Sequence, residues 1–185
     1  ETELPKNIDL IAIPGGFSFG DYLRCGAIAA KSPIFREISR HIERGGYALG
    51  ICNGFQILTE AGILPGILQK NIGTKFISKI VDLRVINTTS TFTHKYMTNN
   101  KISIPIAHHE GNYFASKNDL EELKDKNCIA FKYKDNPNGA SENIAGILSE
   151  NHRVLGMMPH PERHIEDAHG CKDGYPFFEG LFQTS

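Results

Sequence analysis

YALGICNGFQILTEAG, residues 47–62, decides the fold. Tyr47 to Ile51 is a short, continuously apolar run, the pattern of a strand buried on both faces of a parallel sheet. After Cys52-Asn53-Gly54 the chain turns helical from Phe55 to Ala61, and Gly62 and Pro65 stop the helix. Upstream, Asp9 to Ile13 is a second buried run of the same kind, ending at Pro14-Gly15-Gly16. Between the two runs, Ser32-Pro33 supplies an N-cap and a preset first helical residue. Ile34, Phe35, Ile38 and Ile42 then follow at amphipathic spacing until Gly45-Gly46. The order strand, loop, helix, strand, helix predicts an α/β fold with a parallel sheet.

Downstream of Lys75 the texture changes. Phe76 to Ile86, Lys101 to Ala107 and Ile129 to Tyr133 read as strands, with a charged helix over about Asn118 to Lys126. Asn136-Pro137-Asn138-Gly139 is a turn by its chemistry. Asn143 to Leu148 and Arg153 to Met158 pair as a hairpin across Ser149–His152. Tyr175 to Phe182 is apolar enough to dock as a terminal helix. With 185 residues and no repeat, low-complexity tract or linker, a single domain over residues 1–185 is expected.

Composition excludes several function classes. Twenty basic residues against twenty-one acidic ones give a net charge of -1, with no surplus for a phosphate backbone or an anionic lipid surface. Nucleic acid and membrane are therefore not expected as partners. No apolar run approaches the ~18 residues of a membrane span, and the first residues carry no signal-peptide pattern, so a cytoplasmic location is expected. Cys25, Cys52, Cys128 and Cys171 form no CxxC pair, which excludes a local zinc knuckle or dithiol motif.

Three constellations carry chemistry. Gly50-Ile51-Cys52-Asn53-Gly54 has the form G-x-C-x-G at a strand-to-helix junction, a nucleophile elbow with cysteine in place of serine. Its glycines are expected to permit the tight turn, and the helix N-terminus favours the thiolate of Cys52. His160-Pro161-Glu162 closes an apolar strand. Proline keeps His160 out of the helical region, and residues two apart in an extended chain share a side, so Glu162 can hold the imidazole in one tautomer. Pro14-Gly15-Gly16-Phe17 follows the first strand, where backbone N–H groups can turn toward a developing oxyanion. Gly15 to Gly20 also matches part of a phosphate loop, but Asp21 stands where that loop needs lysine, so the nucleotide reading fails. Metal is not expected: His160 and His164 lie four apart, but Pro161 argues against a joining helix, and no HExxH is present. His41 and His152 lie in polar surroundings and are expected at the surface.

IPGGFSFGDYLR, LGICNGFQILTEAGILPG, PIAHHEGNY, NPNGASENIAGI and GMMPHPER together resemble the glutaminase subunit of formylglycinamide ribonucleotide amidotransferase, a class I triad glutamine amidotransferase of purine synthesis. The match runs in order over nearly the whole chain. The elbow and the H-x-E pair specify only the superfamily, whereas PGGFSFGDYLR, CNGFQ and GMMPHPER are far more specific. Phe19 and His109 depart from the family pattern, where tyrosine and glycine are usual.

The resemblance implies a flavodoxin-like amidotransferase fold, with a mostly parallel central sheet flanked by helices and lacking its first β-α-β segment. It further implies Cys52 as nucleophile, His160 as base and acid, Glu162 as its orienting group, and Gly16 and Asn53 as oxyanion donors. Gln56, Phe17, His108 and Glu110 are implied around the substrate. L-glutamine would be the substrate, and the partners a large synthase subunit and a small third protein. ATP and magnesium would sit on the synthase, and no cofactor or metal on this chain. A stand-alone cysteine hydrolase, such as a γ-glutamyl hydrolase or a peptidase, is the competing reading. Asp21-Tyr22-Leu23-Arg24 and GMMPHPER speak against it. A catalytically silent subunit kept for assembly is a third, disfavoured by an intact Cys52, His160 and Glu162.

Overall fold

The computed structural model describes residues 3–5, 7–16 and 25–182. Strand β1 (Leu10–Ile13) is followed by the short helix α1 (Cys25–Ala30) and by α2 (Pro33–Glu43), whose start has Pro33 in its first turn. Strand β2 (Tyr47–Ile51) then runs directly into α3 (Asn53–Glu60). Next come β3 (Ile67–Gln69), β4 (Ile77–Val85), β5 (Lys101–His108), β6 (Asn112–Phe114), α4 (Lys117–Asp125) and β7 (Ile129–Tyr133). Strands β8 (Ile144–Leu148) and β9 (Val154–Met157) precede α5 (Tyr175–Phe182). Helix α4 opens on a capping box in which Ser116 and Asp119 satisfy each other's backbone N–H.

Seven strands form one sheet in the order β1-β2-β9-β8-β7-β4-β5. Strands β1, β2 and β9 are parallel, and every later pairing in that order is antiparallel. The expected α/β architecture is present, but the sheet is mixed where a mostly parallel one is expected from sequence. Connection length explains the difference. A parallel neighbour needs a crossover of a dozen or more residues, usually helical, whereas short links close antiparallel pairs. The α2 crossover provides the former between β1 and β2. Farther along, β7, β8 and β9 are joined directly, by residues 134–143 and by a hairpin across residues 149–153.

The β3–β6 pair is a separate two-stranded sheet that the sequence reading misses, because three-residue strands carry no usable period. It matters for the site, since it anchors the turn after β5 beside α3. Tyr113 of β6 stacks on Phe55 of α3 at 5.7 Å and donates to the Pro65 carbonyl. The core runs from Leu49, Phe55 and Leu58 through Val154, Leu155 and Ile147 to Phe131, Leu83 and Ile104, all buried. Helix α5 docks through buried Phe177 against Phe92, with its Gly180 close on the Thr91 carbonyl. Strand β1 is an edge strand, only partly buried.

Candidate active site

The elbow is built by close packing. Cys52 itself takes the unfavourable backbone conformation, φ 53° and ψ −106°, between the last residue of β2 and the first of α3. Strain of this kind costs on the order of 1–3 kcal/mol and persists only where the surroundings enforce it. Gly50 and Gly54 are not at positive φ, so they do not supply the turn as the sequence reading expects. They let elements approach instead. A Cβ on Gly54 would lie 2.1 Å from the Ile13 carbonyl oxygen, and one on Gly50 would lie 2.7 Å from the Gly54 backbone. Cys52 N–H donates to the Met157 carbonyl at 2.8 Å, which ties the elbow to the end of β9.

The same strand end delivers the histidine. His160 (φ −107°, ψ 82°) precedes a 3₁₀ turn over Pro161–Arg163. Its Nδ1 lies 2.6 Å from Glu162 Oε1. The pair therefore forms through a turn rather than along an extended chain, with the same result. A carboxylate only accepts, so Nδ1 carries the hydrogen and Nε2 keeps its lone pair. His160 is 2% exposed, and its Nε2 has no hydrogen-bond partner among the described residues. Gly15 shows how close the two side chains are: a Cβ there would lie 2.7 Å from His160 Cε1 and 3.2 Å from Cys52 Cβ.

Strand β5 closes the third side. It ends the sheet order, so its outer edge is free to pair with something other than a strand. Carbonyls on that edge, two residues apart, receive the site. Ser103 accepts from His164 Nδ1 at 2.6 Å, Pro105 accepts from the His160 N–H at 2.8 Å, and Ala107 lies 3.7 Å from Cys52 Sγ. Proline is tolerated at 105 because an edge strand has no neighbour asking for its N–H.

The model of the CobB/CobQ-like glutamine amidotransferase domain matches residues 2–171. The phosphoribosylformylglycinamidine synthase subunit PurQ of Ruegeria sp. (strain TM1040) is 58% identical over 181 residues, 98% of this chain and 82% of that protein. PurQ of Zymomonas mobilis is 55% identical over 184 residues, covering 100% of this chain and 83% of that one. A chain of the solved structure of PurLQS from Thermotoga maritima superposes with a TM-score of 0.89 at 44% identity, over 96% of this chain and 80% of that one. The chain belongs to the PurQ family. It is a glutamine amidotransferase, and the stand-alone hydrolase is not favoured.

Beside the Cys52–His160 pair lies a further wall, the turn from His108 to Gly111, held by three amide side chains. Gln56 of α3 donates Nε2–H to the Glu110 carbonyl at 2.8 Å, while its Oε1 accepts from Asn53 Nδ2 at 2.6 Å. Asn138 donates to the Gly111 carbonyl at 2.7 Å. Asn71 bonds the turn through both ends of its amide and through its N–H, which donates to His109 O at 2.9 Å. Gln56, expected beside the substrate, already spends both ends of its amide on protein partners. Glu110 is half-buried, and its carbonyl is what Gln56 grips. His108 is 2% exposed, and burial, with a smaller contribution from the charge of His160, pushes it down to about 4.

Of the remaining sequence expectations, Gly16 lies at the open end of the loop after β1, with nothing near where its Cβ would be. Asn53 is buried at the first turn of α3, where a helix presents unpaired N–H groups. Phe17 and Asp21–Arg24 lie outside the described residues. His41, expected at the surface, is buried, with Nε2 3.1 Å from the Tyr47 carbonyl, because Gly46 leaves room for its ring. Cys128 is buried and its thiol is raised by burial, unlike an activated nucleophile. Among the described residues no three His, Cys, Asp or Glu side chains are grouped to hold a metal ion. No helix among them is long and apolar enough to cross a membrane. Asn71 and Asn138 were invisible to sequence reasoning as pocket residues, since an asparagine in a polar loop reads as an ordinary turn former.

Proposed function

We propose that this chain hydrolyses the side-chain amide of glutamine through a Cys52 thioester and passes the ammonia to a large synthase subunit. That subunit converts formylglycinamide ribonucleotide to its amidine in purine biosynthesis, with a small third protein in the assembly. The observation that carries the reading is the meeting of a strained Cys52 and the His160–Glu162 pair around Gly15, from positions 108 residues apart in the chain.

In this reading the bare Nε2 of His160 takes the Cys52 proton, and the thiolate attacks the glutamine amide carbon. The resulting oxyanion is received by the backbone N–H groups of Gly16 and Asn53, each such donor being worth about 10²–10³-fold in rate. The His160 imidazolium, steadied by Glu162, protonates the departing nitrogen, which leaves as ammonia. His160 then draws a proton from water, hydroxide attacks the thioester, and glutamate departs with Cys52 restored. His108 and Glu110 line the substrate pocket and Gln56 supports its wall, while Phe17 is assigned to the substrate by the family resemblance alone. ATP and magnesium belong to the synthase subunit, in keeping with Asp21 where a phosphate loop needs lysine. The chain acts as one domain over residues 1–185, in the cytoplasm.

The test is Cys52→Ala in the assembled synthase. Glutamine-dependent synthesis should fall by at least ~10³-fold while synthesis from free ammonia persists. Loss of both with assembly intact, or survival of the glutamine reaction, would overturn this division of labour.

A further inference from the structure

Asn71 fixes the state of His108 by hydrogen-bond logic alone. Its Nδ2 faces two carbonyl oxygens, Lys75 O at 2.8 Å and His108 O at 3.0 Å, which can only accept. Its Oδ1 lies 3.1 Å from the Gly111 N–H, which can only donate. The amide orientation is thus determined, and the second neighbour of Oδ1, His108 Nδ1 at 3.1 Å, must carry a hydrogen. The neutral ring then has a bare lone pair on Nε2. That atom is buried and has no partner among the described residues. Gly111 leaves room for the ring, because a Cβ there would lie 2.2 Å from His108 Cε1.

A buried acceptor left without a donor is destabilising, so one held in place by four hydrogen bonds of a buried asparagine points to a ligand that brings the donor. The location narrows the choice. His108 follows Ala107, whose carbonyl faces Cys52 Sγ, and it lies close enough to His160 to feel its charge. The group that must come to Cys52 is a carboxamide, with one oxygen and two N–H donors. In the reading proposed above its oxygen goes to the backbone amides of Gly16 and Asn53, and His160 Nε2 is reserved for the thiol proton. One of its N–H donors can meet the Ala107 carbonyl beside Sγ, and the other still lacks an acceptor.

We infer that His108 Nε2, held as a bare acceptor by Asn71, receives an N–H of the glutamine carboxamide and thereby distinguishes glutamine from glutamate. A γ-carboxylate offers no N–H and sets its own lone pairs against that of Nε2. A site built to bond a substrate N–H discriminates strongly against an analogue lacking it. The low proton affinity of His108 keeps it from turning into a donor that would welcome the carboxylate product. This assignment rests on the triad reading above.

The experiment compares glutamine with glutamate γ-methyl ester, which has the same acyl group and no N–H on the leaving group, using the assembled synthase. His108→Leu should lower kcat/KM for glutamine about 10- to 100-fold and change that for the ester by about twofold or less. His108→Gln, which can present Oε1 as acceptor, should recover part of the glutamine reaction. Equal losses for amide and ester, or undiminished glutamine turnover in His108→Leu, would overturn the role of His108. Turnover of both substrates by Cys52→Ala would instead overturn the triad reading itself.

Discussion

Gly54→Ala perturbs the elbow while leaving every reacting atom of the proposed triad in the chain. The added methyl would lie 2.1 Å from the Ile13 carbonyl oxygen and 2.9 Å from its carbon, both backbone atoms of β1 that no rotamer change can move. Ordinary contact begins near 3.4 Å, so α3 and β1 must part by about 1 Å. Overpacking costs about 1–3 kcal/mol, and a backbone clash belongs at the upper end. For a domain of this size that corresponds to a Tm lower by roughly 6–12 °C. The same shift displaces Cys52 relative to His160, and a 1 Å misplacement of reacting groups costs about 10²-fold in rate. Urea denaturation, read as a midpoint shift at unchanged m, measures the first effect. Glutamate release from glutamine by the assembled synthase measures the second, with ammonia-dependent synthesis unchanged. Gly73→Ala is the control, since its Cβ would meet nothing within 4 Å and its φ is ordinary. It should stay within about 0.5 kcal/mol of the parent. A Gly54→Ala protein with the parent's midpoint and glutaminase rate would refute the close-packing account of the elbow.

Gly15→Ala should act on chemistry more than on stability. Its methyl would meet the His160 ring at 2.7 Å, a side chain that can tilt, so glutaminase should drop by about 10-fold or more with little change in urea midpoint. A large stability loss with normal kinetics would contradict this. The pH dependence follows from His108. Its folded proton affinity is depressed from 6.5 to about 4, so the unfolded chain binds the proton first as pH falls. Stability from this group is present above about pH 6.5 and is lost on the way down to about pH 4, on the order of 3 kcal/mol. His108→Gln should flatten the urea midpoint against pH across that window, and parallel pH curves for the two proteins would rule the contribution out.

Much of this molecule is written locally. The apolar runs at 9–13 and 47–51, the Ser32-Pro33 helix start and the helix near 118–126 each depend on neighbours a few residues apart, and each is found within a residue or two of its expected place. The elbow and the His160–Glu162 pair are local too, since their partners lie within four residues of each other. Short-range sterics and periodicity act in any context, which is why a single sequence discloses them.

What the tertiary structure alone decided concerns approach between distant segments. The role of Gly50 and Gly54 as spacers against α3 and β1 depends on how closely two elements dock. The use of Ser103, Pro105 and Ala107 carbonyls by His164, His160 and Cys52 depends on which strand ends the sheet. The bare Nε2 of His108 depends on Asn71, 37 residues away, meeting it with a determined amide orientation. Residue types and spacing thus named the candidate nucleophile and its candidate base. Register and docking distance placed those groups together and set the hydrogen-bonding state of the wall behind them, because such contacts are settled only when the whole sheet has closed around its core.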